Sequence, residues 1–385
     1  MKSKFENGGD AIMSHTPTKV GIIGCGRISE TYVPNAKRFE AFDVVAIADT
    51  RVEAAQARAK EYGVPKGCSV DELLATPEIE IVVNLTPHVA HGPVGISVLG
   101  AGKSVYNEKP LAVYREEGQQ MLDLAKEKGL HVGCAPDTFF GGAWQTARKL
   151  IDEGVIGEPV AASACLMAYN APRLQTPQAG SSNYVSFYQT DFFTFGVTWS
   201  FDRGPYYLYA LIHLLGPVLR VTCSAKNTWG KKKAFKEIVK TPTHFAGVLD
   251  FQSGVVGTFL MTSDVYSTGL PHIEVYGTEG SLRCIDPNNF GGKLYLRKPD
   301  GRDLIEIESQ YGYNQNSRGV GLADMAVGIR NGRPYRASGE MGYHVIDIVH
   351  ALHEASAENR HIELVSTCPQ PAPLPLGLED WTIDD

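Results

Sequence analysis

Apolar and polar positions follow two regimes along this chain. Up to residue 134, short apolar runs recur at 20–23, 43–48, 80–84, 104–107 and 131–134, each with the length and content of a buried strand. Helix-like spacing fills the gaps, over 27–38, 52–62, 69–76, 90–101 and 114–128. Strand–helix alternation predicts a parallel sheet with helices on both faces. After Pro136 the regime changes. One helix at 143–153 is followed by strand-like runs at 160–168, 218–224, 245–251, 255–262, 272–276, 281–285 and 293–296. Ser253-Gly254, between two of them, reads as a hairpin turn. A helix over 205–215 interrupts the run, and helices over 321–330 and 342–357 come late. The expected division is a nucleotide-binding domain at 18–136 and a largely antiparallel sheet domain at 137–365. Residues 1–17 read as a mobile leader, and the proline-rich 366–385 as an extended tail.

The first apolar run ends in Gly24-Cys25-Gly26-Arg27-Ile28-Ser29, a G-x-G-x-x-small turn between strand and helix. Gly24 permits the tight turn, Gly26 lets backbone approach a pyrophosphate, and Ser29 lets the helix lie close to the strand. The helix N-terminus then offers free N–H groups to phosphates. Asp49 ends the second strand, where a carboxylate accepts from ribose hydroxyls and repels a 2′-phosphate. That favours NAD over NADP, although Arg51 could pair with a 2′-phosphate. Asp49 would serve equally as a helix N-cap.

Ligands on such sheets sit at the carboxyl ends of the strands. The predicted cofactor contacts are therefore Gly24, Gly26, Arg27 and Ile28 on the turn; Asp49, Thr50 and Arg51 after the second strand; Leu85, Thr86 and His91 after the next; and Glu108 with Lys109 beyond the strand at 104–107. Lys109 beside a nicotinamide can take or give an alcohol proton, with its pKa lowered by partial burial and by the positive ring. Lys109-Pro110 can also adopt a cis bond. His91 would support the nicotinamide end or cap its loop. His213 lies on the 205–215 helix, where Tyr206, Tyr209 and His213 fall near one face.

Composition narrows the partners. The 385 residues are 43% hydrophobic and 21% charged, ordinary for a globular chain with two domains. A net charge of −7 argues against nucleic acid or an acidic membrane as partner. Lys231-Lys232-Lys233 reads as a solvated loop. Seven scattered cysteines without a C-x-x-C pair suit reduced thiols in a cytoplasmic protein. No apolar stretch reaches the length of a membrane span, and the N-terminus lacks a signal-peptide core. His350, His353 and Glu354 lack the further ligands a metal needs, so no metal site is expected. The segment 169–201 is crowded with aromatics, suited either to a core or to stacking on a sugar ring.

At these residues the chain resembles the Gfo/Idh/MocA family, named for glucose–fructose oxidoreductase and inositol dehydrogenase. The matching elements are residues 21–29, Ala48-Asp49, Thr86-Pro87 with His91, Glu108-Lys109-Pro110 and the helix carrying His213. The resemblance implies an α/β fold, an N-terminal Rossmann domain followed by an α+β domain with a large open-faced, mostly antiparallel sheet. It implies NAD(P)-dependent oxidation or reduction of sugar and polyol carbons, and a homodimer or homotetramer paired through open sheet faces. By position, Lys109 corresponds to the family's catalytic lysine and His213 to its catalytic histidine. The family commonly has an aspartate four residues before that histidine. Here the position is Tyr209, a relay candidate but a poor base at neutral pH.

The working function is hydride transfer between a secondary hydroxyl of a sugar, polyol or glycoside, such as the sugar 3-hydroxyl, and NAD, with Lys109 as acid/base. One alternative is an NAD-recycling glycosidase that oxidises, eliminates and reduces. Another is a non-catalytic NAD-binding regulator.

Overall fold

Val20, Ile22 and Ile23 are buried in β1 (Thr18–Ile23), which takes the centre of a six-stranded sheet. The other strands are β2 (Phe42–Ala48), β3 (Lys66–Cys68), β4 (Ile81–Asn84), β5 (Ser104–Asn107) and β6 (Val132–Cys134). Their order is β3-β2-β1-β4-β5-β6, and every pair is parallel. This computed structural model describes residues 16–168, 199–228 and 239–385. Every residue of β4, β5 and β6 is buried, polar Asn84, Ser104 and Asn107 included, as suits strands covered on both faces. The unanticipated strand is β3: three residues of Lys-Gly-Cys carry no apolar pattern. Gly67 there allows a close approach, since a Cβ would lie 2.6 Å from the Gln56 Cα.

The crossover helices are α1 (Ser29–Ala36), α2 (Val52–Tyr62), α3 (Val70–Leu74), α4 (His91–Gly100) and α5 (Arg115–Lys128). Ser69 and Glu72 form a reciprocal capping box that starts α3. Helices α2 and α5 stop at left-handed Gly63 and Gly129. Strand order reverses between β1 and β4, and the crevice for a ligand opens at their carboxyl ends.

The second sheet has nine strands: β7 (Pro159–Met167), β8 (Val218–Lys226), β9 (His244–Phe251), β10 (Val256–Thr262), β11 (Ile273–Gly277), β12 (Gly280–Cys284), β13 (Leu294–Arg297), β14 (Ile305–Ile307) and β15 (Ile362–Glu363). The order is β14-β13-β12-β11-β7-β10-β9-β8-β15. All its pairs are antiparallel except β7 with β10 at the centre. Gly254 turns the β9–β10 hairpin with its N–H on the Phe251 carbonyl at 2.9 Å. Strands β14 and β15 are too short to carry a period-2 signal, and sequence reading passes over them.

Helices α6 (Gly142–Asp152), α7 (Trp199–Asp202), α8 (Gly204–Leu215), α9 (Val320–Asn331) and α10 (Gly339–Glu358) complete the described fold. Every residue of α8 is buried. Helix α10 packs on β8 of the second sheet and on α5 and β6 of the first. Cys134 N–H bonds the Ala337 carbonyl at 3.0 Å, so late chain closes the edge of the first sheet. Residues 366–385 form neither helix nor strand. They are tied down at both sides: Asp384 accepts from Arg336 at 2.7 Å, and the Arg38 guanidinium lies 3.7 Å from the Trp381 ring centroid.

None of the seven cysteines forms a disulfide. Among the described residues, no helix is long and apolar enough to cross a membrane, and no cluster of His, Cys, Asp or Glu could hold a metal ion. Leader residues 1–15, the basic run 231–233 and aromatic residues 169–198 lie outside the described residues. Phe201 is described, and it is core: 3% exposed, with its ring 5.1 Å from that of His350.

Candidate active site

The site starts from the glycine turn. Gly24 has φ +110°, a left-handed value, and a Cβ there would lie 2.6 Å from the Leu85 carbonyl oxygen. Its N–H bonds the Ala48 carbonyl at 2.8 Å, so the turn hangs between the exits of β2 and β4. Ser29, fully buried, closes it with a 2.6 Å bond to the Gly26 carbonyl. Helix α1 then begins with no side-chain cap, and the N–H groups of Ser29, Glu30 and Thr31 bond the Gly26, Arg27 and Ile28 carbonyls at 3.0, 3.1 and 3.0 Å. Asp49 accepts from the Cys25 N–H at 2.9 Å and from the Arg51 N–H at 3.0 Å. The carboxylate thus braces the turn as well as standing at the end of β2. The Arg51 guanidinium lies 3.7 Å from it, and that side chain is 75% exposed.

His91 joins two strand-end loops. Its Nδ1 is 2.6 Å from the Pro110 carbonyl and its Nε2 is 2.8 Å from the Thr86 carbonyl. Burial pushes its pKa down, against the pull of those two carbonyls. Beneath it, Asn84 and Asn107 both donate to the His91 carbonyl at 3.1 Å. The Lys109-Pro110 bond is cis.

Glu108 is buried and accepts from the Tyr32 hydroxyl at 2.9 Å and the Lys109 N–H at 3.0 Å. Lys109 is 7% exposed, and its Nζ donates to Asp202 Oδ1 at 2.7 Å. Burial pushes the Asp202 carboxyl up, but the Lys109 ammonium, through its charge and its hydrogen bond, outweighs it together with Arg203 and holds Asp202 below the usual carboxylate value. His88 stands 3.7 Å from the same oxygen. Burial first, then Lys109, keeps its pKa far below the ordinary imidazole value, so His88 is neutral. The Tyr206 ring centroid is 5.4 Å from Lys109 Nζ.

These groups line one cavity of about 430 Å³. Its side towards the glycine turn is made by Arg27, Ile28, Leu85, Thr86, His91 and Glu108. Its far side is made by Asp202, Arg203, Tyr206, Asn288 and Arg318, with Lys109 between. Gly24, Gly26, Asp49, Thr50 and Arg51 lie on the continuous crest of the first sheet beside it, not in its lining.

Two sequence candidates are elsewhere. Tyr209 is 1% exposed and donates to the Cys134 carbonyl at 3.2 Å. His213 is fully buried, with Nε2 3.4 Å from the Gln145 amide and its ring 5.3 Å from Phe139. Burial, then Arg148, pushes its pKa down to about 3. Neither lines the cavity. Helical periodicity does put His213 on the face of Tyr206, but seven residues at 1.5 Å each move it about 10 Å down the axis. The cavity meets only the N-terminal turn of α8. The aspartate-to-ring spacing of four is present seven residues earlier than expected, as Asp202 and Tyr206, with tyrosine where the resemblance has histidine. His88, Asn288 and Arg318 gave no signal in the sequence, because only tertiary packing brings them here.

Both parts of the chain match known protein families. Residues 18–135 match the family described as "Oxidoreductase family, NAD-binding Rossmann fold", and residues 144–283 match the "GFO/IDH/MocA C-terminal domain". A 1,5-anhydro-D-fructose reductase of Ensifer adhaerens is 29% identical over 75% of this chain and 82% of its own length. A scyllo-inositol 2-dehydrogenase (NADP(+)) of Bacillus subtilis is 24% identical over 90% of this chain and 96% of its own. A levoglucosan dehydrogenase solved with NADH superposes with a TM-score of 0.76 at 21% identity, covering 91% of this chain and all of that one.

Proposed function

The chain belongs to the Gfo/Idh/MocA oxidoreductase family, with an NAD-binding Rossmann domain, and on that premise we propose that it transfers hydride between NAD and a secondary carbon of a sugar or polyol. Residues 18–136 would hold the dinucleotide and residues 137–365 the substrate. The observation that carries this reading is the buried Lys109–Asp202 pair, 2.7 Å across, beside Tyr206 at the end of β5. Nicotinamide supplies or accepts the hydride when bound. The protein must move one proton to or from the substrate oxygen, and Lys109 and Tyr206 are the groups in reach. Asp202 holds the Lys109 ammonium in place and balances its charge. In the reducing direction Lys109 is already a proton donor. In the oxidising direction it receives the hydroxyl proton once it has released its own. Tyr209 and His213 take no part.

Cofactor choice follows Asp49. Its carboxylate stands at the end of β2, where a ribose 2′-hydroxyl would donate to it and a 2′-phosphate would be repelled. The reading is therefore NAD rather than NADP. The substrate reading is supported by the names of the relatives, which act on anhydrofructose, inositol and levoglucosan.

The open face of the second sheet is proposed to pair with another copy of the chain. Tyr276, Ala161 and Val256 stand in one row across β11, β7 and β10. Val256 is 48% exposed and Tyr276 36% among the described residues.

The test is incubation of the purified protein with NAD and a panel of sugars, polyols and aryl glycosides, following NADH absorbance and product mass. Accumulating NADH with a keto product supports the dehydrogenase. Release of free aglycone without NADH would support the glycosidase instead. Tight NAD binding with no turnover would support the regulator.

A further inference from the structure

The cavity holds more positive charge than proton transfer uses. Lys109 is matched by Asp202 at 2.7 Å. Glu108 is engaged by Tyr32 and the Lys109 N–H. Arg27 belongs to the glycine turn, where a diphosphate would meet it. Two guanidinium groups remain on the substrate side. Arg203 lies 5.8 Å and Arg318 6.0 Å from the Tyr206 ring centroid.

Their partners differ. Arg203 has a carboxylate at 3.7 Å, Asp286. Arg318 donates to Asn288 Oδ1 at 2.7 Å and to Asn316 Oδ1 at 3.0 Å. Both are amide oxygens, which aim a guanidinium without neutralising it. Among the described residues no carboxylate lies within 4 Å of half-buried Arg318; the Tyr206 hydroxyl and, from farther off, Glu108 and Asp137 hold its charge, so no carboxylate closes its fork. Removing a cation from water is costly unless a counter-charge meets it. The Arg318 backbone is also held, since its carbonyl accepts from Asn35 at 3.1 Å. A fixed, oriented guanidinium facing a cavity is a receptor for a carboxylate or phosphate, whose two oxygens match its fork.

We infer that the substrate of this site is an anionic sugar or polyol derivative, bearing a carboxylate or a phosphate ester that Arg318 receives with Arg203 beside it. This rests on the reading of the cavity as a hydride-transfer site. The substrate's hydroxyl would face Lys109 and Tyr206, and its acidic end would face Arg318. The overall charge of −7 would slow approach of an anion, so the positive pocket must supply the attraction locally.

The test uses the full chain with NAD and matched substrates: D-glucuronate and D-gluconate for carboxylates, D-glucose 6-phosphate for a phosphate ester, D-glucose and myo-inositol as neutral partners. The expected result is a kcat/KM for one anionic class at least about tenfold above the neutral class, with KM rising as salt is added. The variant R318Q is expected to raise KM for that anion by about 10- to 100-fold with a smaller change in kcat, and R318K to recover part of the loss. Calorimetric titration of D-glucuronate and D-glucose 6-phosphate into the NAD-loaded protein reads binding without turnover. Preference for neutral sugars, absence of binding by either anion, or an R318Q defect in NAD affinity alone would each overturn the inference. Lack of turnover on the whole panel, with anion binding intact and lost in R318Q, would count against hydride transfer and leave the anion site standing.

Discussion

Asp202 Oδ1 accepts a 2.7 Å hydrogen bond from Lys109 Nζ, joining residues 93 positions apart, one just past β5 and the other at the end of α7. Both side chains are at most 9% exposed. The pair sets a buried ammonium at the wall of the cavity with a counter-charge against it.

Removing either member should separate binding from chemistry. K109A is expected to lower kcat by about 10²- to 10⁴-fold, the range for a positioned acid or base, while NAD affinity changes little. D202N keeps the shape and removes the charge, and should lower kcat by a smaller factor while shifting the alkaline limb of the pH–rate profile. Steady-state kinetics with NAD titration by fluorescence reads both. Wild-type turnover in K109A would remove the lysine from the chemistry.

Tyr206 and His213 offer a direct contrast. Y206F deletes a hydroxyl in the cavity and is expected to cost about 10-fold or more in kcat. H213Q changes a buried group that is neutral above about pH 3 and touches Gln145 and Phe139. It should leave the pH–rate profile unmoved and lower thermal stability instead. A lost pH limb in H213Q would contradict the geometry.

Much of this was legible in residues 20–29 and 108–110, where the chemistry is local. A glycine turn between strand and helix declares itself because backbone conformation and phosphate access depend on neighbours in sequence. The first sheet followed from five apolar runs for the same reason. Asp202 was not legible in that way. Its partner is distant in sequence, and nothing local marks an aspartate as the one that meets a lysine. His213 shows a second limit: periodicity tells which way a residue points from a helix, not how far along the axis the pocket ends. Strands β3, β14 and β15 are two or three residues long, below what any alternation can mark.

Asp137 predicts a pH dependence of stability. It is buried, it accepts from the Gly319 and Gly321 N–H groups, and burial raises its carboxyl to about 6. The folded pKa is above the unfolded value, so the contribution to stability is fully present below about pH 4 and is lost as pH rises through about 6. The loss is on the order of 3 kcal/mol. D137N, which can still accept both N–H bonds, should flatten this part of the profile. Denaturant midpoints at pH 4 and pH 7 for both proteins check it, and an equal slope in the variant would contradict the assignment.

His91 should matter to fold and cofactor together. H91A removes the group lying between the Thr86 and Pro110 carbonyls and leaves a cavity in the core. A stability loss of about 2–4 kcal/mol is expected, with weaker NAD binding because both loops border the side towards the glycine turn. Chemical denaturation and NAD titration read the two effects, and unchanged NAD affinity in a folded H91A would show that the loops hold their places without it.

The most direct measurement is a crystal structure of the protein with NAD bound. Hydride transfer at Lys109 predicts the diphosphate against the turn at residues 24–26 and the nicotinamide ring inside the cavity, facing the Lys109–Asp202 pair. A dinucleotide absent from the turn, or a ring lying outside that cavity, would contradict it.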